Sequence, residues 1–179
     1  MSKRYDISAP RPGKEGKTFW HRIGWMARDS QSGFNAPRHV LSAYARERGG
    51  SLYSESRGPY VTPMKTLEAL RNEEVDVVAL DGFFLDLLRR HEPGKLSGLR
   101  TIAETPWTPM PLLVAAPGVD ASRVERMRAS LLRLGEQPGD KVLLAEVILR
   151  GFAVPRLEDY EVFERMAREA EEAGYPEIR

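Results

Sequence analysis

The sequence predicts an α/β fold built on a largely parallel sheet. Strand-like and helix-like segments alternate along the chain, the order that successive βα units give. Residues 75–80 are apolar apart from Asp76, as suits a strand covered on both faces. Two strand-like runs end in a short polar segment that leads directly into a helical pattern: Asp29-Ser30-Gln31-Ser32-Gly33 after the first, and Asp81-Gly82 after the run at 75–80.

Each element has its own signal. Residues 1–16 are polar and carry Pro10, Pro12, Gly13 and Gly16, which predicts a tail. Residues 18–27 hold Phe19, Trp20, Ile23, Trp25 and Met26 and read as a strand. In the helix that follows, Pro37, Val40, Leu41 and Tyr44 share one face, and Gly49-Gly50 stops it. Residues 51–56 are a short strand. A second helix covers 63–72 with Met64, Leu67 and Leu70 inward, and the strand at 75–80 comes next. A helix with Phe84, Leu87 and Leu88 follows Asp81-Gly82, and Pro93-Gly94 closes it. Residues 99–103 and 112–116 read as two more strands. Between them Pro106, Pro109 and Pro111 impose a stiff, extended crossover. Beyond Asp120 the pattern is helical. Val124, Met127, Leu131 and Leu134 form one stripe, residues 142–149 a second short helix, and Tyr160, Phe163, Met166 and Ala170 a third that ends at Gly174.

Composition excludes several classes. The chain has 179 residues and 41% hydrophobic content, enough for one core or one domain with an appendage. With 27 Lys and Arg against 26 Asp and Glu, the net charge of +1 gives no global attraction to nucleic acid. The absence of cysteine rules out a disulfide scaffold and a thiolate metal site. No apolar run approaches the roughly 20 residues that a bilayer crossing needs, so direct membrane insertion is not expected. No apolar leader follows the charged N-terminus Met-Ser-Lys-Arg-Tyr-Asp.

The residues that could carry chemistry are few. Gly13-Lys14-Glu15-Gly16-Lys17-Thr18 resembles a phosphate loop, but only two residues separate its glycines, and a tail precedes it where a strand is required. His21, His39 and His91 lie far apart with no metal-ligand spacing, so no metal and no cofactor are expected. There is no Gly-x-Ser-x-Gly elbow, and no nucleophile is paired with a base. These absences argue against an enzyme. The segment from Asp29 to Gly33 is different, because open α/β sheets bind ligands between a strand end and a helix start. Ser30 and Ser32 supply hydroxyls, Gly33 permits close backbone approach, and the first amides of the helix lack internal partners. Ser and Asp are equally the favoured caps of any helix, so capping accounts for the same residues without a ligand. Asp81 stands at the same point after the strand at 75–80, as a cap or as an acceptor for a ligand hydroxyl or amine. Tyr60, after Gly58-Pro59, either stacks on or hydrogen-bonds to a ligand, or simply packs.

Several stretches resemble the phosphate/phosphonate-type substrate-binding proteins of ABC importers. DSQSGFNAP at 29–37 is similar to that family's serine-rich segment, and VDVVALDGFFLDLLRRHEP at 75–93 to its strand-Asp-helix element. TPWTPMPLLVAAPGV at 105–119 is similar to its return crossover, and RGFAVPRLEDY at 150–160 to its C-terminal segment. The resemblance implies a periplasmic-binding-protein-like lobe, a mostly parallel sheet flanked by helices in three layers, with a helical C-terminal segment. It implies a division into a tail at 1–16, a ligand-binding lobe at 17–110, and a return strand and helices at 111–179. It also implies that Ser30, Gln31, Ser32 and Gly33 cradle an oxyanion while Asp81 faces the ligand's other end. Two departures stand out. Gly58-Pro59-Tyr60 occupies the place of a family Gly-Ser-His, and little of a first lobe precedes residue 17. The apolar faces within 112–134 therefore need cover, from the remaining lobe, a partner or a second copy.

The expected function is binding of a small anionic solute, with an ABC permease or self-association completing the cleft. The alternative is a cytoplasmic sensor module for a metabolite or a protein. The resemblance implies a periplasmic location, and the lack of a leader implies the cytoplasm if this is the native product.

Overall fold

The computed structural model describes residues 21–179; the expected tail, the Gly13–Thr18 motif and the first residues of the first strand lie outside them. The architecture is mixed α/β. Three short parallel strands, β1 (Arg22–Gly24), β2 (Glu55–Arg57) and β3 (Val77–Val78), form a sheet in the order β2-β1-β3. Among the described residues there are six α-helices: α1 (Ala36–Arg48), α2 (Pro63–Arg71), α3 (Gly82–His91), α4 (Ala121–Leu132), α5 (Pro138–Glu146) and α6 (Glu161–Glu172). A π-helical turn, Gln31–Asn35, opens α1.

The strand order follows from the crossovers. The connection through α1 moves from β1 to one side, and the connection through α2 moves back across β1 to the other. Right-handed crossovers running in opposite directions put their helices on opposite faces of the sheet. Side chains of β1 alternate accordingly. Ile23 and Trp25 enter a core with Phe34, Leu41, Ala45, Tyr175 and Ile178. Gly24 faces the other way, where a Cβ would stand 3.0–3.1 Å from Val75, Val78 and Tyr60. The Asp76 that interrupts the apolar run is answered by Arg22, whose guanidinium grips both carboxylate oxygens at 3.0–3.1 Å, whose amide donates to Oδ2 at 2.7 Å and whose carbonyl accepts from the Asp76 amide at 2.9 Å. The Arg22 guanidinium holds the Asp76 carboxyl below its usual range.

The chain divides into two compact units. One runs to Trp107 and resumes over Glu161–Arg179; the other is Thr108–Tyr160. In the first, α6 lies against α1 and the π-turn, burying Met166 and Ala170, and the segment beyond it buries Tyr175 and Ile178. Residues 161–179, grouped by the sequence reading with 111–160, thus complete the core around β1. In the second unit, among the hydrophobic residues only Leu144 is buried.

Several sequence expectations need correction. Residues 99–103 and 112–116 form no strand. Their composition suits one, but a strand needs a neighbour to share its ladder, and Pro111 and Pro117 deny an amide at either end of the second. Leu113 and Val114 are exposed instead. The second strand sits at Glu55–Arg57, at the end of the expected 51–56 run. α2 turns Thr66, Leu67 and Ala69 fully inward, leaving Met64 and Leu70 half-buried. α5 begins at Pro138, whose fixed φ suits a first helical turn, and ends at Glu146.

Candidate functional site

The parallel register gathers the candidate residues at one edge. Gly24 pairs with Arg57 of β2 and with Val78 of β3, so the three strands finish side by side. Residues 25–33, 58–61 and 79–81 all emerge at that edge. The crossovers through α1 and α2 run in opposite directions and lie on opposite faces, which makes the edge beside β1 a topological switch point, where open α/β sheets take ligands.

Met26 joins two of the segments. Its amide donates to the Gly33 carbonyl at 3.2 Å, and its carbonyl accepts from the Val61 amide at 2.7 Å. Tyr60 is anchored beside it, its amide donating to the Trp25 carbonyl at 3.2 Å. The Tyr60 ring reaches back over Gly24, which explains a glycine inside a strand: a side chain there would displace the ring or Val78. Burial, followed by the Glu74 carboxylate, pushes the Tyr60 phenol up, so at neutral pH it remains a protonated donor. Val61 has φ of +72° and centres a tight turn in which the Thr62 amide donates to the Tyr60 carbonyl at 2.8 Å. A β-branched residue in that region is strained by about 1–3 kcal/mol.

In the serine-rich segment capping and access coexist. Ser30 is buried, and its Oγ accepts from the Gly33 amide at 3.0 Å. A hydroxyl that accepts an amide still has its own proton to donate. Gly33 is close-packed: a Cβ would stand 2.6 Å from that of Met26 and 2.9 Å from Ser30 Oγ. The Ser30 carbonyl accepts from both Phe34 and Asn35, at 3.1 and 2.9 Å. The amides of Gln31 and Ser32 and the Ser32 hydroxyl have no acceptor among the described residues. The Gln31 side chain is turned to α6: its Nε2 donates to Met166 Sδ at 3.3 Å, and its Oε1 accepts from Asn35 at 2.7 Å. Asp81 caps α3, its Oδ1 accepting from the Phe84 amide at 2.9 Å. Among the described residues no hydrogen bond joins Asp81 to Tyr60 or to residues 30–33.

Two residues escaped the sequence reading. Arg28 stands on the turn just before Ser30, its guanidinium 5.5 Å over the Trp25 ring and 5.8 Å over Phe34, paired with Glu177. Its position between a strand end and a serine-rich helix start was the available signal. Asn35 binds Gln31 and also donates to the Phe163 carbonyl at 3.0 Å; nothing local in the sequence signals that contact. Among the described residues no group of three or more His, Cys, Asp or Glu could hold a metal ion, and no helix is long and apolar enough to cross a membrane.

A protein-family model described as ABC transporter, phosphonate, periplasmic substrate-binding protein matches residues 20–160. The chain belongs to this family. Membership covers the sheet, the serine-rich segment, Tyr60, Asp81 and the whole Thr108–Tyr160 unit. It makes the chain a substrate-binding component of ABC import, a transport class and not an enzyme class, with a small ligand and an ABC permease as partners. No curated protein matches the chain significantly.

Proposed function

We propose that the chain binds a small oxyanion of the phosphonate or phosphate type at the carboxyl edge of its sheet, without transforming it. The single observation that carries this reading is the set of unspent donors at the switch point. The Gln31 and Ser32 amides and the Ser32 hydroxyl lie on the first turn leading into α1, next to Gly33, which Met26 ties to the Tyr60 segment. Backbone amides at a helix start favour an anion through both their hydrogen bonds and the helix dipole.

In this reading Ser30 and Ser32 donate through their hydroxyls, and Gln31 contributes its amide, since its side chain is held by α6. Gly33 keeps the turn close to Met26. The Tyr60 phenol donates from the neighbouring segment, and the free oxygen of Asp81 accepts from an amine or hydroxyl at the far end of the ligand. All six lie within 17–110, the lobe to which the sequence reading assigned ligand binding. Arg28 stands beside the turn with its charge shared with Glu177.

Isothermal titration of the full chain with phosphate, methylphosphonate, aminoethylphosphonate and sulfate tests the reading. One of them is expected to bind, and Ser32→Ala should weaken it about tenfold, the scale of one lost hydrogen bond to a charged group. Binding unchanged in Ser32→Ala, or no binding of any oxyanion by the wild type, sinks the proposal.

A further inference from the structure

We infer that α6 sets the shape of the anion-binding turn, with Asn35 as the positioning residue between them. The inference rests on the reading that residues 30–33 hold the ligand.

The turn needs an external hold. A π-helical turn admits an extra residue into the first coil of the helix and is rare, because its ring is wide and its hydrogen bonds are poorer than those of an α-helix. Here it is five residues long, and its wide first coil leaves the Ser30 carbonyl shared between two amides.

Asn35, the last residue of the turn, uses its whole amide group to hold that coil. Its Nδ2 donates one proton to Gln31 Oε1 at 2.7 Å and the other to the Phe163 carbonyl of α6 at 3.0 Å. Its Oδ1 accepts from Arg38 Nη2 at 3.3 Å. The first residue of the turn is held as well, because Gln31 Nε2 donates to Met166 Sδ of α6 at 3.3 Å. Arg38 closes the arrangement from below. It is buried, lies 5.6 Å from the centre of the Phe34 ring, and donates to the carbonyls of Ala167 at 3.2 Å and Pro176 at 2.9 Å. Both ends of the turn are therefore latched to one helix more than a hundred residues away in sequence. The free amides of Gln31 and Ser32 lie between the latches, so their direction follows α6. Without the Asn35 side chain the coil is free to tighten toward α-helical geometry, which re-aims those amides.

The test uses the full chain, with methylphosphonate as the probe and amide NMR as a second readout. Asn35→Ala should weaken methylphosphonate about tenfold. It should also move the ligand-free amide resonances of Gln31 and Ser32 while those of Tyr175 and Ile178 stay in place. Wild-type affinity together with unmoved Gln31 and Ser32 resonances overturns the inference. If the wild type binds another of the four oxyanions but not methylphosphonate, that one takes its place as the probe; if it binds none, the ligand reading fails, and the ligand-free resonances alone decide whether the latch exists. If Asn35→Ala does not fold, Met166→Leu keeps the volume but removes the sulfur acceptor of Gln31. It should move the same two resonances and weaken binding in the same direction, and no change in either overturns the proposal.

Discussion

The unit around the sheet and the Thr108–Tyr160 unit use similar amphipathic helices and reach opposite outcomes. α1 has a continuous core beneath it, with Phe34, Leu41 and Ala45 packed on Ile23, Trp25, Tyr175 and Ile178. α4 carries an apolar stripe as regular as any, yet Met127 is 57% exposed and its neighbours Leu132 and Leu134 are exposed too. On α5 Val142 and Leu143 face solvent while Leu144 alone is buried. The pattern states which face of a helix wants cover, but cover itself is a property of what lies opposite. Only the first unit has a sheet, and only there does the C-terminal segment return to close the core.

Matched truncations in the two units give the largest expected contrast. Tyr175→Ala empties a site in a packed core and should cost about 3–5 kcal/mol. Met127→Ala removes a side chain of similar reach from an open face and should stay within about 0.5 kcal/mol. Urea melts of both variants measure the difference, and equal losses would show that the second unit has a core of its own. A smaller effect comes from Tyr53, which packs against the same core and whose phenol burial pushes up to about 12. A phenol held neutral in the fold stabilises fully below its unfolded pKa of about 10, and that contribution is lost as pH rises through 12. Stability should therefore fall by about 2–3 kcal/mol over that window. Tyr53→Phe should flatten the fall; an unchanged alkaline limb would place the sensitivity elsewhere. The smallest effect on stability, and the most telling for assembly, belongs to Leu113 and Val114, both largely exposed. A second copy is one of the sources of cover that the sequence leaves open for this face, and it is the one that can be tested directly. Sedimentation of the full chain should then depend on concentration, and Leu113→Ser with Val114→Ser should abolish that dependence without moving the urea midpoint. A single species at every concentration rejects self-association.

Much of the candidate site was legible in the sequence for a local reason. Caps act within four residues, so Ser30 and Asp81 were visible as helix starts and Asp120 as the point where a helical pattern begins; each accepts from the amide three residues on, as does Thr62, which the sequence reading passed over. Gly58 was visible as a turn, but not the reason for it: a Cβ there would stand 2.5 Å from the Trp25 ring. Arg38 was illegible, because a buried arginine looks like any surface arginine until the carbonyls of Ala167 and Pro176 come within reach.

By itself the sequence determined where helices start, that the sheet is parallel and that its strands end in polar segments, because capping, turn chemistry and hydrophobic period are set by neighbours along the chain. Tertiary structure decided the rest. Runs at 99–103 and 112–116 with strand composition found no partner and formed no strand, since a ladder takes two strands. Tyr175 and Ile178 became core because they meet Ile23 and Trp25. The serine-rich turn took its π-helical form against Phe163 and Met166, contacts that no local pattern encodes.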